Sequence, residues 1–322
     1  MTADLVTFSL VAIWSAMVMY ALAFVAFTFD LSLRVAPGVG QVESAGQLAV
    51  ASGIRRAGRG DAAVLERATT RADSVTRPSR WLRVGMAFTV IAWALHVGGT
   101  LFRGFAAGRV PWANMFEFSL TATAIIVGVF LAVQFWQDLR FLGAFVSGFA
   151  LLFLGVATVN FYVDVVPLPP ALQSYWLVIH VFVASLGTGF FALGAALSVM
   201  QLLQARATGR LPFLATLPDA VKLENVAYRL IVVGFVFWTF TLIAGAIWAE
   251  HAWGRYWGWD TKEVWTFIIW TIFAGYIHAR ATRGWRGSRS AWLAIIGFAA
   301  VIFNFTIVNL FFKGLHAYSG IS

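Results

Sequence analysis

Apolar stretches of about 20 residues recur along the whole chain, separated by polar and charged connections. Each is long enough to cross the hydrocarbon core of a bilayer as an α-helix rising about 1.5 Å per residue. Eight spans are predicted, at roughly 5–28, 82–103, 116–136, 142–162, 176–203, 226–249, 264–281 and 291–312. The pattern predicts an all-α fold, a polytopic membrane helix bundle, because only a helix satisfies its own backbone hydrogen bonds in lipid. The first span begins near Leu5 without a basic leader or a small-residue cleavage site, so it reads as a retained helix. One connection is long. Residues 29–81 are rich in Ala, Gly, Ser and Arg and lack hydrophobic periodicity, which predicts a flexible cytoplasmic segment. The chain therefore divides into residues 1–81, the first helix with this basic segment, and 82–322, a seven-helix membrane domain.

Composition agrees with the pattern. Hydrophobic residues make up 60% of the 322 and charged residues 11%, with a mean hydropathy of +0.80. No single soluble core could bury so much apolar surface. Cysteine is absent, which excludes disulfides, thiolate metal sites and a cysteine nucleophile. The net charge of +9 is a topology signal rather than a nucleic-acid footprint. Basic residues crowd alternate connections, from Arg34 to Arg80, at Arg140, from Arg206 to Lys222 and from Arg280 to Arg289, with Arg83 and Arg229 at helix ends on the same side. The opposite side holds only five of the 23: Arg103, Arg109, Arg255, Lys262 and Lys313. The positive-inside rule then places both termini outside. No phosphate-binding glycine loop occurs, so transport driven by an ATPase within this chain is unsupported.

The chemistry concentrates between the sixth and seventh spans, in Trp253-Gly-Arg-Tyr-Trp-Gly-Trp-Asp-Thr-Lys-Glu-Val-Trp265. Trp253, Tyr256, Trp257, Trp259 and Trp265 exceed what an interfacial aromatic belt needs. They suit a platform whose ring faces stack on a large planar ligand, with Gly254 and Gly258 allowing close approach. Asp260 and Glu263 form an Asp-x-x-Glu capping pattern, so Asp260 reads chiefly as the N-cap of the seventh span and need not touch a ligand. Arg255 and Lys262 are candidates to pair with ligand carboxylates such as haem propionates, or are solvated surface charges.

Five histidines occur. His180 lies about four residues inside the fifth span, His316 follows the eighth, and His251 precedes the aromatic loop. Two readings fit His180 and His316: hydrogen-bonded interfacial side chains, or axial ligands clamping a haem iron from opposite faces. His278 follows Asp260 by 18 residues, which at 1.5 Å per residue sets it about 27 Å deeper, too far to share a ring with the other two. His96, in the outer half of the second span, is not level with His278. Any second ligand beside His278 must come from another chain.

At these residues the sequence resembles the tryptophan-rich WWD haem-handling membrane proteins. The run Asp260-Thr-Lys-Glu-Val-Trp265 is similar to the CcsA (ResC) branch of cytochrome c biogenesis System II. The Ala-Arg-Leu pattern that follows Trp-Asp in the sibling System I exporter is missing. The likeness extends over Pro111-Trp-Ala-Asn-Met-Phe-Glu117, His180, His278-Ala-Arg280 and Gly314-Leu-His316. Thr261 stands where the family commonly has proline, a change that touches helix initiation and not chemistry.

The resemblance implies that His180 and His316 hold haem b at an outer site and that His278 helps bind haem within the membrane. A ResB-like partner subunit would supply the remaining ligand. It further implies that haem is presented, reduced, to a Cys-x-x-Cys-His segment of apocytochrome c, with a thioredoxin-like system supplying thiol reductant. The protein would then be a plasma (inner) membrane protein with loop 250–265 and the C-terminus extracytoplasmic, acting as a haem lyase only in complex with its partner. Three other readings stay open: a haem exporter that does not ligate, a transporter of another aromatic substrate, and an assembly scaffold.

Overall fold

The computed structural model describes residues 2–35, 79–168, 170–206, 214, 217–312 and 314–316. Most of the connection expected to be flexible, residues 36–78, lies outside the described residues, as do Lys313 and Tyr318. Among the described residues, eight long helices run in chain order: α1 Thr2–Val35, α2 Arg80–Ala107, α3 Met115–Val133, α4 Gly143–Asn160, α5 Tyr175–Ala205, α6 Ala220–Trp253, α7 Thr261–Thr282 and α8 Ser288–Phe305. A five-residue helix, α9 Ile307–Phe311, follows, and no strand occurs among the described residues.

Seven of the eight are long and apolar enough to cross a membrane. The exception is α7, whose 22 residues include Lys262, Glu263, Trp265, Trp270, Tyr276, His278 and Arg280. These side chains dilute its aliphatic content, and the helix is instead wedged beside α6 and α8 with Ile269 and Phe273 fully buried. The protein is an integral membrane bundle.

Two expectations need correction at their edges. Residues 29–35 and 80–81 of the long connection are helical, because α1 and α2 extend past the hydrocarbon-length window used to place them. The eighth span is broken at Thr306 (φ −93°, ψ −71°), whose hydroxyl donates back to the Ile302 carbonyl at 2.7 Å.

Hairpin pairs α1–α2 and α5–α6 make the most extensive contacts, and α3, α4, α7 and α8 pack around them. Close approach of α5 to α6 depends on small residues, as is common between membrane helices. A Cβ at Gly187 would lie 3.3 Å from the Gly234 carbonyl and the Trp238 amide.

Among the described residues, buried ion pairs lie towards the two ends of the bundle. Away from the aromatic loop, Glu224 accepts from Arg280, from Ser290 (3.2 Å), from the Gly287 amide (3.0 Å) and from Gln201 (3.3 Å). That network staples α5, α6, α7 and α8. At the loop end, Glu117 is fully buried between Arg103 (3.1 Å) and Arg109 (2.6 Å). Arg103 also donates to the Val163 carbonyl at 2.6 Å and Arg109 to that of Val166 at 3.1 Å, so α2 and the α2–α3 connection are tied to the segment after α4.

Candidate functional site

The loop ends of α3, α5, α6, α7 and α8 surround a cavity of about 230 Å³. Its walls are aromatic and aliphatic, with Trp112, Phe118, Trp248, Tyr256, Trp257 and Phe305 among them, and it reaches Thr123 and Thr188 midway along α3 and α5. Its polar groups include His180, His316, Lys262, Glu263, Asn114 and Asn309.

His180 enters the cavity from α5, whose start is capped by Ser174 accepting from the Trp176 amide. The facing position on α6 is Gly245, where a Cβ would lie 2.7 Å from His180 Cε1. Absence of that carbon lets the imidazole lie against α6, with Nδ1 3.0 Å from the Thr241 carbonyl. A carbonyl only accepts, so His180 Nδ1 carries the hydrogen and Nε2 is left for another partner. Trp248, one helical turn beyond Gly245, stacks on the ring at 5.9 Å between centroids and 15° between planes. Gly245→Val should push His180 off this position and reduce ligand occupancy of the cavity about 10-fold or more, measured by titration of the purified protein.

α6 ends at Gly254, whose φ of +70° closes the helix in the left-handed region. The turn that follows is held by Glu263, which accepts from the Gly258 amide (2.8 Å) and the Asp260 amide (3.0 Å). Between those amides Trp259 adopts φ +59°, an uncommon backbone for an aromatic residue, and is 72% exposed. Asp260 and Glu263 form the expected capping box at the start of α7.

Asp260 does more than cap. Its Oδ2 lies 2.6 Å from His316 Nδ1, and a Cβ on Gly314 would collide with its Oδ1, so only glycine lets the tail approach this closely. The His316 hydrogen bond is the chief cause that holds the Asp260 carboxyl below the usual aspartate range. The ionised carboxylate only accepts, so His316 Nδ1 donates and its Nε2 too is left for another partner. His316 packs edge-on against Trp253 (4.7 Å) and Trp248 (5.4 Å). Trp248 therefore touches both imidazoles.

The remaining candidates separate clearly. Tyr256 and Trp257 line the cavity, whereas Trp253 backs His316 and Trp259 meets Trp257 edge-on at 5.8 Å while facing solvent. Trp265 packs on Phe303 at 4.4 Å, away from the cavity. Lys262 lines the cavity and donates to Asn309, whose amide reaches the Met115 sulfur at 3.3 Å. Arg255 instead lies over Gly258. His278 is exposed on α7, apart from the cavity. His251 is exposed, with Nδ1 2.8 Å from the Ile247 carbonyl. His96 is fully buried, its Nδ1 3.4 Å from the Tyr20 hydroxyl between α1 and α2. Sequence reasoning missed Trp248, Gly245, Asn309 and the pairing of Asp260 with His316. Trp248, Gly245 and Asn309 lie outside the aromatic motif, and all four features rest on contacts between separate elements.

The region that builds this cavity, residues 112–316, matches the family described as cytochrome C assembly protein. The chain belongs to the cytochrome c assembly family. It is similar to the cytochrome c biogenesis protein CcsA of Trieres chinensis, 35% identical over 253 residues, covering 68% of this chain and 81% of that protein. CcsA of Synechococcus elongatus is 34% identical over 281 residues (73% of this chain, 86% of the relative). CcsA of Synechocystis is 31% identical over 303 residues (76% and 91%). Membership gives the chain a role in cytochrome c biogenesis, and the family match ends at His316, where the tail docks on Asp260.

Proposed function

We propose that the chain is the haem-handling subunit of a System II cytochrome c synthase, holding haem b on the extracytoplasmic side while it is joined to apocytochrome c. One observation carries this reading. His180 and His316 line the same cavity with both Nδ1 atoms engaged by acceptors, which leaves each Nε2 turned to ligand duty. Imidazole held in this way by an outer hydrogen bond is the arrangement metal-ligating histidines adopt. Tyr256, Trp257 and Trp248 supply apolar surface for the porphyrin faces, and Lys262, a half-buried amine lining the cavity, matches a propionate. Arg255, laid over Gly258, is a weaker candidate for that contact.

The chemistry asks little acid–base work of these residues. Each client thiol adds sulfur and hydrogen across one vinyl group, with no leaving group. The chain's part is to fix the iron from both sides, shield the ring from water and bring its vinyl edge to the thiols. A thioredoxin-like system would keep those thiols reduced. His278 sits on an exposed stripe of α7 with Phe267, Thr271, Gly275 and Thr282, and a Cβ on Gly275 would meet nothing within 4 Å. A stripe with such small residues suits a neighbouring membrane helix. We assign it to a ResB-like partner that completes an inner haem site with His278.

The test is a reduced-minus-oxidised visible spectrum of the chain purified with its partner. Wild type should give bis-histidine haem. The His180→Ala/His316→Ala variant should lose the outer haem and cytochrome c maturation while keeping the haem that depends on His278. An intact wild-type complex from haem-replete cells that is colourless would overturn the proposal.

A further inference from the structure

The two cavity histidines are held unequally, and the difference lies in what each Nδ1 meets. His180 donates to a neutral backbone carbonyl, that of Thr241, at 3.0 Å. His316 donates to the Asp260 carboxylate at 2.6 Å, a short bond to a charged acceptor. A carboxylate behind an imidazole pulls the shared hydrogen toward itself and raises the donor strength of the opposite nitrogen. Asp260 cannot drift from this task, because the same residue caps α7 and the tail passes it at Gly314.

We propose that Asp260 is a positioning residue that makes His316 the strong, retained axial ligand and leaves His180 as the one that yields the iron to the client histidine. This rests on the haem reading above. It assigns an order to the exchange: the haem stays anchored to the tail while the face toward α5 is released. It also accounts for the Gly-x-His spacing of the tail, since glycine at 314 lets His316 reach the carboxylate.

The experiment compares wild type with Asp260→Asn in the full chain purified with its partner and haem. Asparagine caps helices about as well as aspartate, so α7 keeps its start, and circular dichroism checks that helix content is unchanged. Two quantities are read. The midpoint potential of the outer haem should rise in Asp260→Asn, because the carboxylate favours ferric over ferrous iron. A loss of about 10-fold in that preference corresponds to about 59 mV for one electron. The iron–histidine stretch of the five-coordinate ferrous haem, observed after photolysis of its carbon monoxide complex, should fall in Asp260→Asn if His316 is the ligand still bound.

An upward potential with a lowered stretch supports the proposal. A shifted potential with an unchanged stretch means that His180 is the retained ligand and overturns the assigned order. No change in either overturns the role of Asp260 while leaving bis-histidine ligation standing. A wild-type complex without bis-histidine haem removes the haem reading, and this inference with it.

Discussion

Glu117→Ala should lose about 3–5 kcal/mol of stability, the effect of removing one partner from a buried ion pair. Glu117 has no exposed surface, and both its oxygens are engaged, by Arg103, Arg109 and the Ala113 amide at 3.1 Å. Alanine would strand two guanidinium groups whose side chains are only 1% and 9% exposed. Arg103 would keep its bond to the Val163 carbonyl, and Arg109 its bond to that of Val166, but neither carbonyl bears charge. The consequence reaches the cavity, because Glu117 fixes the connection that carries Trp112, Asn114 and Met115 into its wall. Thermal unfolding in detergent and the amount of protein accumulating in membranes are the measurements. A Glu117→Ala protein within about 1 kcal/mol of wild type would show that the two arginines find other partners or water. Glu117→Gln keeps the shape and an acceptor, so it should fall between the two.

The bundle was legible because lipid imposes a length and a polarity on every span. What escaped was set by contacts between distant residues. The break at Thr306 has no neighbouring Pro or Gly to mark it in the sequence. Asp260 was read correctly as a cap, yet its second partner is 56 residues away on a tail that periodicity cannot place. The aromatic loop overstated itself: two of its five rings face the cavity, and the wall is completed by Trp112 and Trp248 from outside the motif. Lys262 and Arg255 were indistinguishable as charges. One is the second residue after a helix cap and lines the cavity, while the other folds over a glycine. Depth along a helix, by contrast, translates directly from residue count, and it separated His278 from the other two histidines before any coordinates.

Trp248→Ala should cost about 3–5 kcal/mol and disable the cavity, although Trp248 lies outside the tryptophan-rich segment. Its side chain is 2% exposed and touches three rings: His180 face to face, and Trp253 and His316 edge-on. Alanine would open a void between the two imidazoles, beside Leu177 and Val181 of the same apolar cluster. His180 would keep its bond to Thr241, and His316 its bond to Asp260, because neither passes through the indole. What is lost is their spacing and a dry wall, and misplaced ligating groups lower metal affinity by about 10–100-fold. The measurement is haem occupancy of the purified complex alongside its unfolding temperature, with Trp248→Phe as the control. Phenylalanine retains a ring to stack on His180, so it should recover most of the occupancy and part of the stability. If Trp248→Ala binds haem as wild type does while losing stability, the indole is packing alone, and the histidines are spaced by their hydrogen bonds to Thr241 and Asp260.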